Sequence, residues 1–425
     1  MRRSYWILIA AALCAATAKG GTAVPGDCDG DGRVAVNELV IGVNISLGVL
    51  PLARCTALDR NGDGRVAIEE LIAAVRHALQ SRIPQQRAFA VTSSFMAGSF
   101  ATVELDPPRA VSPSSSQRRV HSDAVVRSRG GIVYVLNRLF GDNLQVLDPD
   151  DGYRTRSQCS TGNGTNPHDI AFASSDKAYI TLYDDSELLI VNPDPRPDCG
   201  DFVLGSIDLT AVADADGIPD MDLMVVHGDR LYVSLQRLDI NSILRTPAAR
   251  GAIAVIDTAT DTLVDTIELS GDNPFAATKG LTVRNGMLYV ALAGLFGVSD
   301  GGIERVELAT GRAEGISVSE SDLGGDITDF VLVSDRLAYA IVARLNFSAA
   351  VVAFDPIDAV VLDTLTEAAG FTLADVELND RGELFVADRD RQRHGIRIYR
   401  ADDGAPLTEA PINLGLAPFE IVFLP

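Results

Sequence analysis

The 425-residue sequence has fewer basic than acidic residues and a single tryptophan, and each shortage argues against a class of function. Only three of its 36 Lys and Arg residues are lysines, and 58 Asp and Glu residues give a net charge of −22. Nucleic acids and anionic lipid surfaces attract basic proteins, so this acidity argues against both as partners. The single tryptophan, Trp6, lies near the N-terminus. The rest of the chain therefore has no tryptophan on which a sugar or a quinone cofactor could stack, which counts against both kinds of ligand.

Catalytic sequence motifs are missing as well. No G-x-S-x-G nucleophile turn and no H-E-x-x-H pair occurs, which argues against serine hydrolases and zinc peptidases of the common types. Hydrophobic residues nevertheless make up 47% of the chain and charged residues 22%, so the chain can bury a core.

Only one long apolar run is present, at residues 5–18, and it follows Arg2 and Arg3. It is too short for a permanent membrane span and ends in small residues, as at a cleavage site. We therefore predict a signal peptide at 1–23 and a secreted, periplasmic or cell-surface protein without a transmembrane segment. Lipidation at Cys14 is the alternative, but Leu13 suits that modification poorly.

Four cysteines follow the predicted signal peptide, and an even number in an oxidising setting indicates disulfides. They permit three pairings, and closeness along the chain favours Cys28 with Cys55 and Cys159 with Cys199. A metal site is the rival interpretation, but there is no C-x-x-C motif and no His at ligand spacing.

Residues 27–38 and 59–70 each match a twelve-residue calcium loop, and they recur at a spacing of 32 residues. Ca²⁺ takes six to eight oxygen ligands, which such loops supply from positions 1, 3, 5, 7 and 12, with Gly at position 6 for the sharp turn. The sequence thus predicts two calcium ions. Their ligands are Asp27, Asp29, Asp31, Arg33 (carbonyl) and Glu38 in the first loop, and Asp59, Asn61, Asp63, Arg65 (carbonyl) and Glu70 in the second. The rival interpretation is an acidic turn that binds nothing.

Each loop continues into an amphipathic helix. The predicted apolar stripes recur at i, i+4 and i+8 and are expected to pack against each other. They consist of Leu39, Val43 and Leu47 in the first helix and Leu71, Val75 and Leu79 in the second.

This order of loop, helix, linker, loop and helix resembles a dockerin, an EF-hand pair that anchors exported enzymes to cohesin modules. The resemblance covers about residues 26–80 and implies calcium binding by the loops named above. Two positions depart from the family: position 12 is Glu rather than Asp, and the recognition positions hold Val36-Asn37 and Ile68-Glu69 instead of Ser/Thr pairs. The resemblance therefore predicts calcium binding but not cohesin docking.

From residue 88 onward, short alternating β-type segments replace the helical pattern. One segment type recurs seven times around an aromatic residue, at intervals of 45, 45, 53, 57, 50 and 46 residues, which is typical of propeller blades. Its aromatic residues are Phe89, Tyr134, Tyr179, Tyr232, Tyr289, Tyr339 and Phe385. The partner strand of Phe89 is found only at the C-terminus, at 420–424, so both chain ends are predicted to share the first of seven four-stranded blades.

The fold prediction is thus mainly β: a seven-bladed β-propeller with a small N-terminal all-α dockerin-like EF-hand module. The boundaries are a signal peptide at 1–23, the EF-hand pair at 24–80, a linker at 81–87 and the propeller at 88–425. Segments such as 167–172, 178–181 and 254–257 resemble the YVTN-type, surface-layer-associated propeller family. This resemblance implies a fold, and it implies binding or surface roles rather than a defined reaction.

An acidic residue opens the innermost strand of six predicted blades, and these carboxylates would ring one mouth of the central channel. This possible channel-mouth site comprises Asp123, His168, Asp169, Asp222, Asp329, Asp375 and Glu420. One interpretation is a ligand or cation site, as in metal-dependent lactonase-type propellers. The other is that each carboxylate accepts backbone N–H bonds and fixes the turn between blades.

Together these patterns predict an exported calcium-binding protein that carries a propeller without catalytic residues. The propeller or the EF-hand module would bind a ligand, a protein or a cell surface. The alternative is a secreted hydrolase, either lactonase-like or part of a polysaccharide-degrading assembly. Oligomeric state is not predicted.

Overall fold

The computed structural model describes residues 25–28, 34, 36–80, 86–242 and 245–425. The predicted signal peptide and Cys14 lie outside these residues, as do Asp29, Asp31 and Arg33. The chain divides into two compact units, Met1–Pro84 and Gln85–Pro425.

The N-terminal unit contains two helices, α1 (Val36–Ser46) and α2 (Ile68–Gln80), with short 3₁₀ turns at Leu52–Arg54 and Thr56–Leu58 between them. A small core joins them, and it buries both position-8 valines of the two loops. Its members are Val34, Ile45, Cys55, Leu58, Val66 and Ala74. The helices meet closely at Gly42, where an added Cβ would lie 2.9 Å from Leu71 and 3.0 Å from Leu58.

The predicted packing of the helix stripes is wrong in part. Leu39 and Leu71 pack against the core, but Val43, Leu47 and Val75 are 47%, 71% and 40% exposed. The close approach at Gly42 places the side of α1 that carries Ile45 against the core. The predicted stripe at i, i+4 and i+8 did not include Gly42, so it identified a different side of the helix as buried. The side chain of Leu79 lies outside the described part of the unit.

The described residues of the second unit form 28 strands and one short α-helix, α3 (Glu320–Leu323). In chain order the strands are β1 (Arg87–Ser93), β2 (Gly98–Glu104), β3 (Val111–Ser112), β4 (Arg119–Val120), β5 (Ala124–Arg129), β6 (Ile132–Asn137), β7 (Asn143–Asp148), β8 (Arg154–Ser160), β9 (Pro167–Phe172), β10 (Ala178–Leu182), β11 (Glu187–Val191), β12 (Val203–Asp208), β13 (Met221–His227), β14 (Arg230–Leu235), β15 (Ala252–Asp257), β16 (Thr262–Glu268), β17 (Leu281–Arg284), β18 (Met287–Leu292), β19 (Gly302–Glu307), β20 (Arg312–Ser319), β21 (Asp326–Leu332), β22 (Ala338–Arg344), β23 (Ser348–Asp355), β24 (Val360–Ala369), β25 (Leu373–Leu378), β26 (Glu383–Asp388), β27 (Gly395–Arg400) and β28 (Pro418–Leu424).

These strands form seven antiparallel sheets, one per blade, and the seven-bladed propeller is confirmed. The sheets are β28-β1-β2-β3 with β4 also on β2, then β5–β8, β9–β12, β13–β16, β17–β20, β21–β24 and β25–β27. Each predicted aromatic lies on the second strand of its blade. Closure by the C-terminus is also confirmed, because Phe89 pairs with Val422 across β1 and β28.

The seventh blade departs from the prediction of four strands. Its sheet has three, and the chain beyond β27 adds only isolated bridges, Ile396 with Ile412 and Tyr399 with Pro406. Pro406 and Pro411 supply no N–H groups, so this segment cannot continue a regular ladder.

Apolar side chains fill the spaces between neighbouring blades. Tyr179 on β10 is fully buried in a cluster that joins Leu136 and Val146 of the second blade to Leu188 of the third. Such face-to-face packing of twisted sheets buries both sides of a blade, and ring closure leaves the innermost and outermost strands as short edges.

Both favoured disulfide pairings are confirmed, Cys28–Cys55 and Cys159–Cys199. The second bond connects β8 of the second blade to the segment between β11 and β12 of the third. Two disulfides are typical of proteins that fold outside the reducing cytoplasm. No helix within the described ranges is long and apolar enough to cross a membrane.

Candidate calcium loops, channel carboxylates and an apolar cavity

The second predicted calcium loop curls around its own side-chain oxygens. The backbone N–H groups of Asp63 and Gly64 donate to the two carboxylate oxygens of Asp59, at 3.0 and 2.9 Å. The N–H of Asp63 also donates to Asn61 Oδ1 at 2.9 Å, and that of Arg65 donates to Asp63 Oδ1 at 2.9 Å. Oxygens from positions 1, 3 and 5 therefore lie on the inner side of one tight loop.

Position 12 closes the second loop. Glu70 Oε1 accepts the N–H groups of Arg60 and Asn61 at 2.8 and 3.1 Å, and its Oε2 accepts that of Ala67 at 3.0 Å. Glu70 is only 6% exposed, although it is charged and the loop is at the surface. The side chain that calcium loops use as a bidentate ligand is thus already turned inward.

The first loop repeats the same closing contact. Cys28 occupies position 2 of that loop, as Arg60 does in the second, and its N–H donates to Glu38 Oε1 at 2.6 Å. Glu38 is 3% exposed. The shared contact shows that the two loops agree in geometry as well as in sequence, as far as the first one is described.

The donor set of the second loop suits a hard cation. It offers carboxylate oxygens from Asp59, Asp63 and Glu70, an amide oxygen from Asn61 and the carbonyl of Arg65, which is the oxygen-only set that Ca²⁺ prefers. In the described part of the chain, no cluster of three or more His, Cys, Asp or Glu side chains converges as a metal site. The carboxylates of Asp59, Asp63 and Glu70 are thus not gathered around one point in this structure, and what suits Ca²⁺ is the chemistry and spacing of the donors.

The carboxylates predicted at the channel mouth fasten blades together. Four of them accept a backbone N–H from the innermost strand of the next blade. The pairs are Glu420 with Val126 (2.5 Å), Asp169 with Met224 (2.7 Å), Asp329 with Val376 (3.0 Å) and Asp375 with Ile421 (2.7 Å). All four acidic side chains are almost fully buried. The geometry therefore supports the interpretation in which these carboxylates hold the turn between blades.

Buried cations compensate part of this charge. Arg127 Nε lies 2.8 Å from Asp169, and its Nη1 pairs with Glu420. Burial raises the pKa of Asp169 to about 6, although the nearby Arg127 lowers it. Lys279 pairs with Glu377 nearby, since Arg127 Nη2 donates to the carbonyl of the adjacent Thr278 at 3.3 Å. The channel wall is thus a network of ion pairs rather than a ring of free carboxylates.

One pair of carboxyl groups shares a hydroxyl. Thr278 Oγ1 lies 2.8 Å from both Asp329 Oδ2 and Asp375 Oδ1. A hydroxyl carries one hydrogen, so it can donate to only one of them and must accept from the other, which then has to be protonated. Burial raises the pKa of Asp329 to about 7 and that of Asp375 well above its ordinary range. Geometry and burial therefore both favour a proton retained by this pair at pH values where an exposed carboxyl group is ionised.

His168 and Asp222 form a separate group in the third and fourth blades. His168 Nδ1 lies 2.8 Å from Asp222 Oδ1, and Gln236 donates to Asp222 Oδ2 at 2.8 Å. The imidazole stacks on Tyr183 with ring centroids 4.1 Å apart. Burial lowers the pKa of His168 despite the opposing effect of Asp222. A neutral imidazole held by a carboxylate can accept a proton as a general base.

Asp123 does not belong to the buried ring. It precedes β5, its side chain is 36% exposed, and it pairs with Arg138 at 2.5 Å. The register of β5 with β6 pairs Val125 with Leu136, and Val125 takes the place that the carboxylates occupy in other blades. The predicted strand alignment is therefore two residues off in this blade.

The propeller also has an apolar cavity of about 630 Å³ that the sequence patterns did not predict. Phe95, Phe296, Phe347 and Phe371 line it, and they are 79%, 57%, 73% and 59% exposed. The first three follow the second strand of their blades, six to eight residues after the repeating aromatic. That regular offset is the signal from which these residues could have been found.

Two arginines line this cavity: Arg344, which pairs with Glu367, and the half-buried Arg389. Arg389 stacks its guanidinium over Phe95 and Phe419, 4.7 and 5.5 Å from the ring centroids. It donates to the carbonyls of Pro418 at 3.0 Å and Ser93 at 3.3 Å. No carboxylate among the described residues lies within ion-pair distance, and burial lowers the pKa of Arg389.

Comparison with known proteins gives no family assignment, since no family model and no curated protein matches the chain. Hydrazine synthase of Kuenenia stuttgartiensis is 14% identical over 68% of this chain and 80% of that one, with a TM-score of 0.49. The dihydro-heme d1 dehydrogenase NirN in complex with DHE is 15% identical over 89% of this chain and 92% of that one, with a TM-score of 0.49. The Dos1 propeller is 11% identical over 79% and 86%, also with a TM-score of 0.49. These values carry no argument about function, and the fold assignment rests on the seven sheets themselves.

Proposed function

We propose that this chain is an exported calcium-binding protein whose propeller recognises a ligand or partner without catalysing a reaction. The observation that supports this proposal most directly is a hydrogen bond present in both loops. The N–H of the residue at position 2 donates to the glutamate at position 12, which is Glu38 in the first loop and Glu70 in the second. In this proposal each loop binds one Ca²⁺ through its carboxylate, amide and carbonyl oxygens.

Calorimetry with Ca²⁺ on the secreted, full-length protein tests the calcium part. We expect two sites in the parent protein and one in Asp63→Ala, because Asp63 supplies position 5 of the second loop only. Asp363→Asn, which changes an exposed carboxylate on the propeller, should leave two sites. Absence of binding, or two unchanged sites in Asp63→Ala, would refute the assignment.

The export part has its own test. A signal peptide at 1–23 predicts that the N-terminal residue of the protein recovered outside the cytoplasm lies near residue 19 or 24, and N-terminal sequencing measures this. A product that begins at Met1, or one lipidated at Cys14, would overturn it.

Exposed apolar side chains on the helices support a protein partner for the N-terminal unit. Val40 and Leu47 on α1 are 54% and 71% exposed, and Ile68 and Ile72 on α2 are 71% and 48% exposed. Exposed apolar surfaces of this kind commonly mark interaction sites. The dockerin class of partner is tested by surface plasmon resonance with cohesin modules and Ca²⁺. Lack of binding would remove cohesin as the partner and leave the calcium assignment intact.

A secreted hydrolase is the second candidate, and the contact between His168 and Asp222 favours it. Asp222 orients the imidazole through Nδ1, so Nε2 would take a proton from water or a substrate hydroxyl. Hydrolysis of lactone or ester substrates that is lost in His168→Gln, with unchanged thermal stability, would support an enzyme. Equal turnover by both proteins would exclude His168 from catalysis.

A further inference from the structure

The cavity lined by Phe95, Phe296, Phe347 and Phe371 has the properties of a small-molecule site. Its volume of about 630 Å³ falls within the range of about 300–1,000 Å³ usual for such sites. The rings come from the first, fifth and sixth blades and from the segment that precedes the seventh. Large aromatic side chains left exposed around one concave surface favour an apolar ligand.

The rings support one another as walls of this cavity. Phe275 and Phe296 meet edge to face with centroids 5.4 Å apart, and Phe347 and Phe371 lie 6.0 Å apart. Both arrangements are within the usual geometry of aromatic pairs. Each of these four rings is therefore held in place by a neighbouring ring.

Arg344 and Asp326 also line the apolar cavity, but Arg344 pairs with Glu367 and Asp326 accepts the N–H of Gly297. Arg389 is the charged lining residue that an apolar ligand does not explain. Its guanidinium lies against two carbonyls and two rings, so part of its donor capacity and all of its charge are uncompensated by protein carboxylates. Burying an unpaired charge is costly. A ligand anion at this position would remove that cost.

A second, polar cavity adjoins the first and shares Phe95, Phe371 and Arg389 with it. Its own walls include Thr372, Arg391, Gln392 and His394. Asp390 lines this second cavity as well, so Arg389 stands at the boundary between an apolar compartment and one that has hydrogen-bond donors and a carboxylate. A molecule that spans both compartments must have an apolar body and a polar, anionic end.

We propose that the two adjoining cavities bind a small amphipathic carboxylate, with its chain or ring among the phenylalanines and its carboxylate on Arg389. This inference rests on the recognition role proposed for the propeller and adds the class of ligand. A guanidinium binds a carboxylate through two parallel hydrogen bonds, which is stronger than a neutral contact.

Decanoate and decan-1-ol are suitable probes because they share a chain and differ in charge. Binding of each to the full-length protein is measured by calorimetry below the concentration at which decanoate forms micelles. We expect decanoate to bind about tenfold or more tightly than decan-1-ol, since a hydrogen bond to a charged group contributes about 1.5–3 kcal/mol, or about ten- to a hundredfold.

Two variants separate the charge from the apolar walls. Arg389→Met should reduce decanoate binding to the level of decan-1-ol, and Phe347→Ser should weaken both ligands, since Phe347 is 73% exposed and its loss leaves the core intact. Arg336→Met is the matched control, because Arg336 pairs with Asp355 and Asp358 outside both cavities. The melting temperature of each variant verifies its fold.

The outcomes distinguish this inference from the proposed function. Equal binding of decanoate and decan-1-ol would refute an anionic ligand but keep an apolar recognition site. Binding of neither probe, or binding unchanged in Phe347→Ser, would refute recognition at these cavities. Calcium binding is measured separately and does not depend on either result.

Discussion

The protonated pair of Asp329 and Asp375 makes the stability of the propeller depend on pH. Burial raises the pKa of Asp329 from 3.8 to about 7, so the folded state holds one proton that the unfolded state releases between these values. The stabilisation is fully present below pH 3.8 and is lost as the pH rises through about 7. One proton corresponds to about 1.4 kcal/mol per pH unit, or ~3 kcal/mol between pH 4.5 and 6.5.

Asp329→Asn removes this proton while keeping the shape of the side chain and an oxygen that can accept the N–H of Val376. The free energy of unfolding is measured by urea titration with circular dichroism at pH 4.5, 5.5 and 6.5. From pH 4.5 to pH 6.5, the free energy of unfolding should fall by ~3 kcal/mol more in the parent than in the variant, because one proton corresponds to about 1.4 kcal/mol per pH unit. Buried acids elsewhere, such as Asp169, contribute equally to both proteins and cancel in this difference.

The exposed Asp363 provides the control, since Asp363→Asn should follow the parent at every pH. Identical slopes for the parent and Asp329→Asn would show that Asp329 is ionised across this range. The retained proton would then lie on Asp375, whose pKa burial raises well above its ordinary range, and the assignment of this pH dependence to Asp329 would be wrong.

Three further perturbations test the ring. Gly280→Ala should destabilise the propeller by about 1–3 kcal/mol in urea titrations, because the new Cβ would lie 2.3 Å from the Ala276 methyl; an unchanged midpoint would mean that the backbone yields there. Deletion of residues 418–425 removes β28, the partner of β1, and should abolish the cooperative transition in calorimetry, whereas a retained transition would argue against closure. Replacing Cys159 and Cys199 by Ala opens a link of sequence separation 40 and should cost about 4 kcal/mol of unfolding free energy; a loss below about 1 kcal/mol would indicate a compact unfolded state.

The propeller could be predicted because its repeat is set by burial. The second strand of a blade is paired on both sides and packed on both faces, so each copy keeps an aromatic or aliphatic centre, such as Tyr179 or Phe89. The C-terminal strand had to pair with β1, since no other segment repeats the innermost pattern beside Phe89. The disulfides followed from closeness along the chain.

The predictions failed where one residue changes the register or the packing. Asp123 resembles the other strand-opening acids in sequence, but β5 begins after it and Val125 takes the buried place. In α1, the absence of a side chain at Gly42 lets Leu58 and Leu71 pack closely against the helix, so the buried face of α1 differs from the predicted one. Neither effect leaves a periodic pattern in the sequence, because both depend on which part of the folded chain packs against the residue.

The apolar cavity was unpredictable for a different reason. Phe95 and Phe371 are 276 residues apart, and ring closure alone brings them to one surface. In the sequence of its own loop each phenylalanine is an isolated apolar residue, and single exposed apolar residues are common on protein surfaces. The cavity exists because several loops converge in the folded protein, and the sequence of any one loop does not show this convergence.

The net charge of −22 gives a last prediction about the proposed ligand. A strongly acidic protein repels an approaching anion over distances beyond about 10 Å, and salt screens this repulsion more than it screens the buried contact with Arg389. Raising NaCl from about 20 to 200 mM should therefore increase the association rate of decanoate in stopped-flow measurements, whereas ordinary steering by opposite charges would decrease it. Decan-1-ol is the control for salting-out, because added salt lowers the solubility of the apolar chain that both probes share. A decanoate rate that falls with salt would mean that a local cationic field outweighs the net charge, and a rate that merely parallels decan-1-ol would contradict binding of the anion as a charged species.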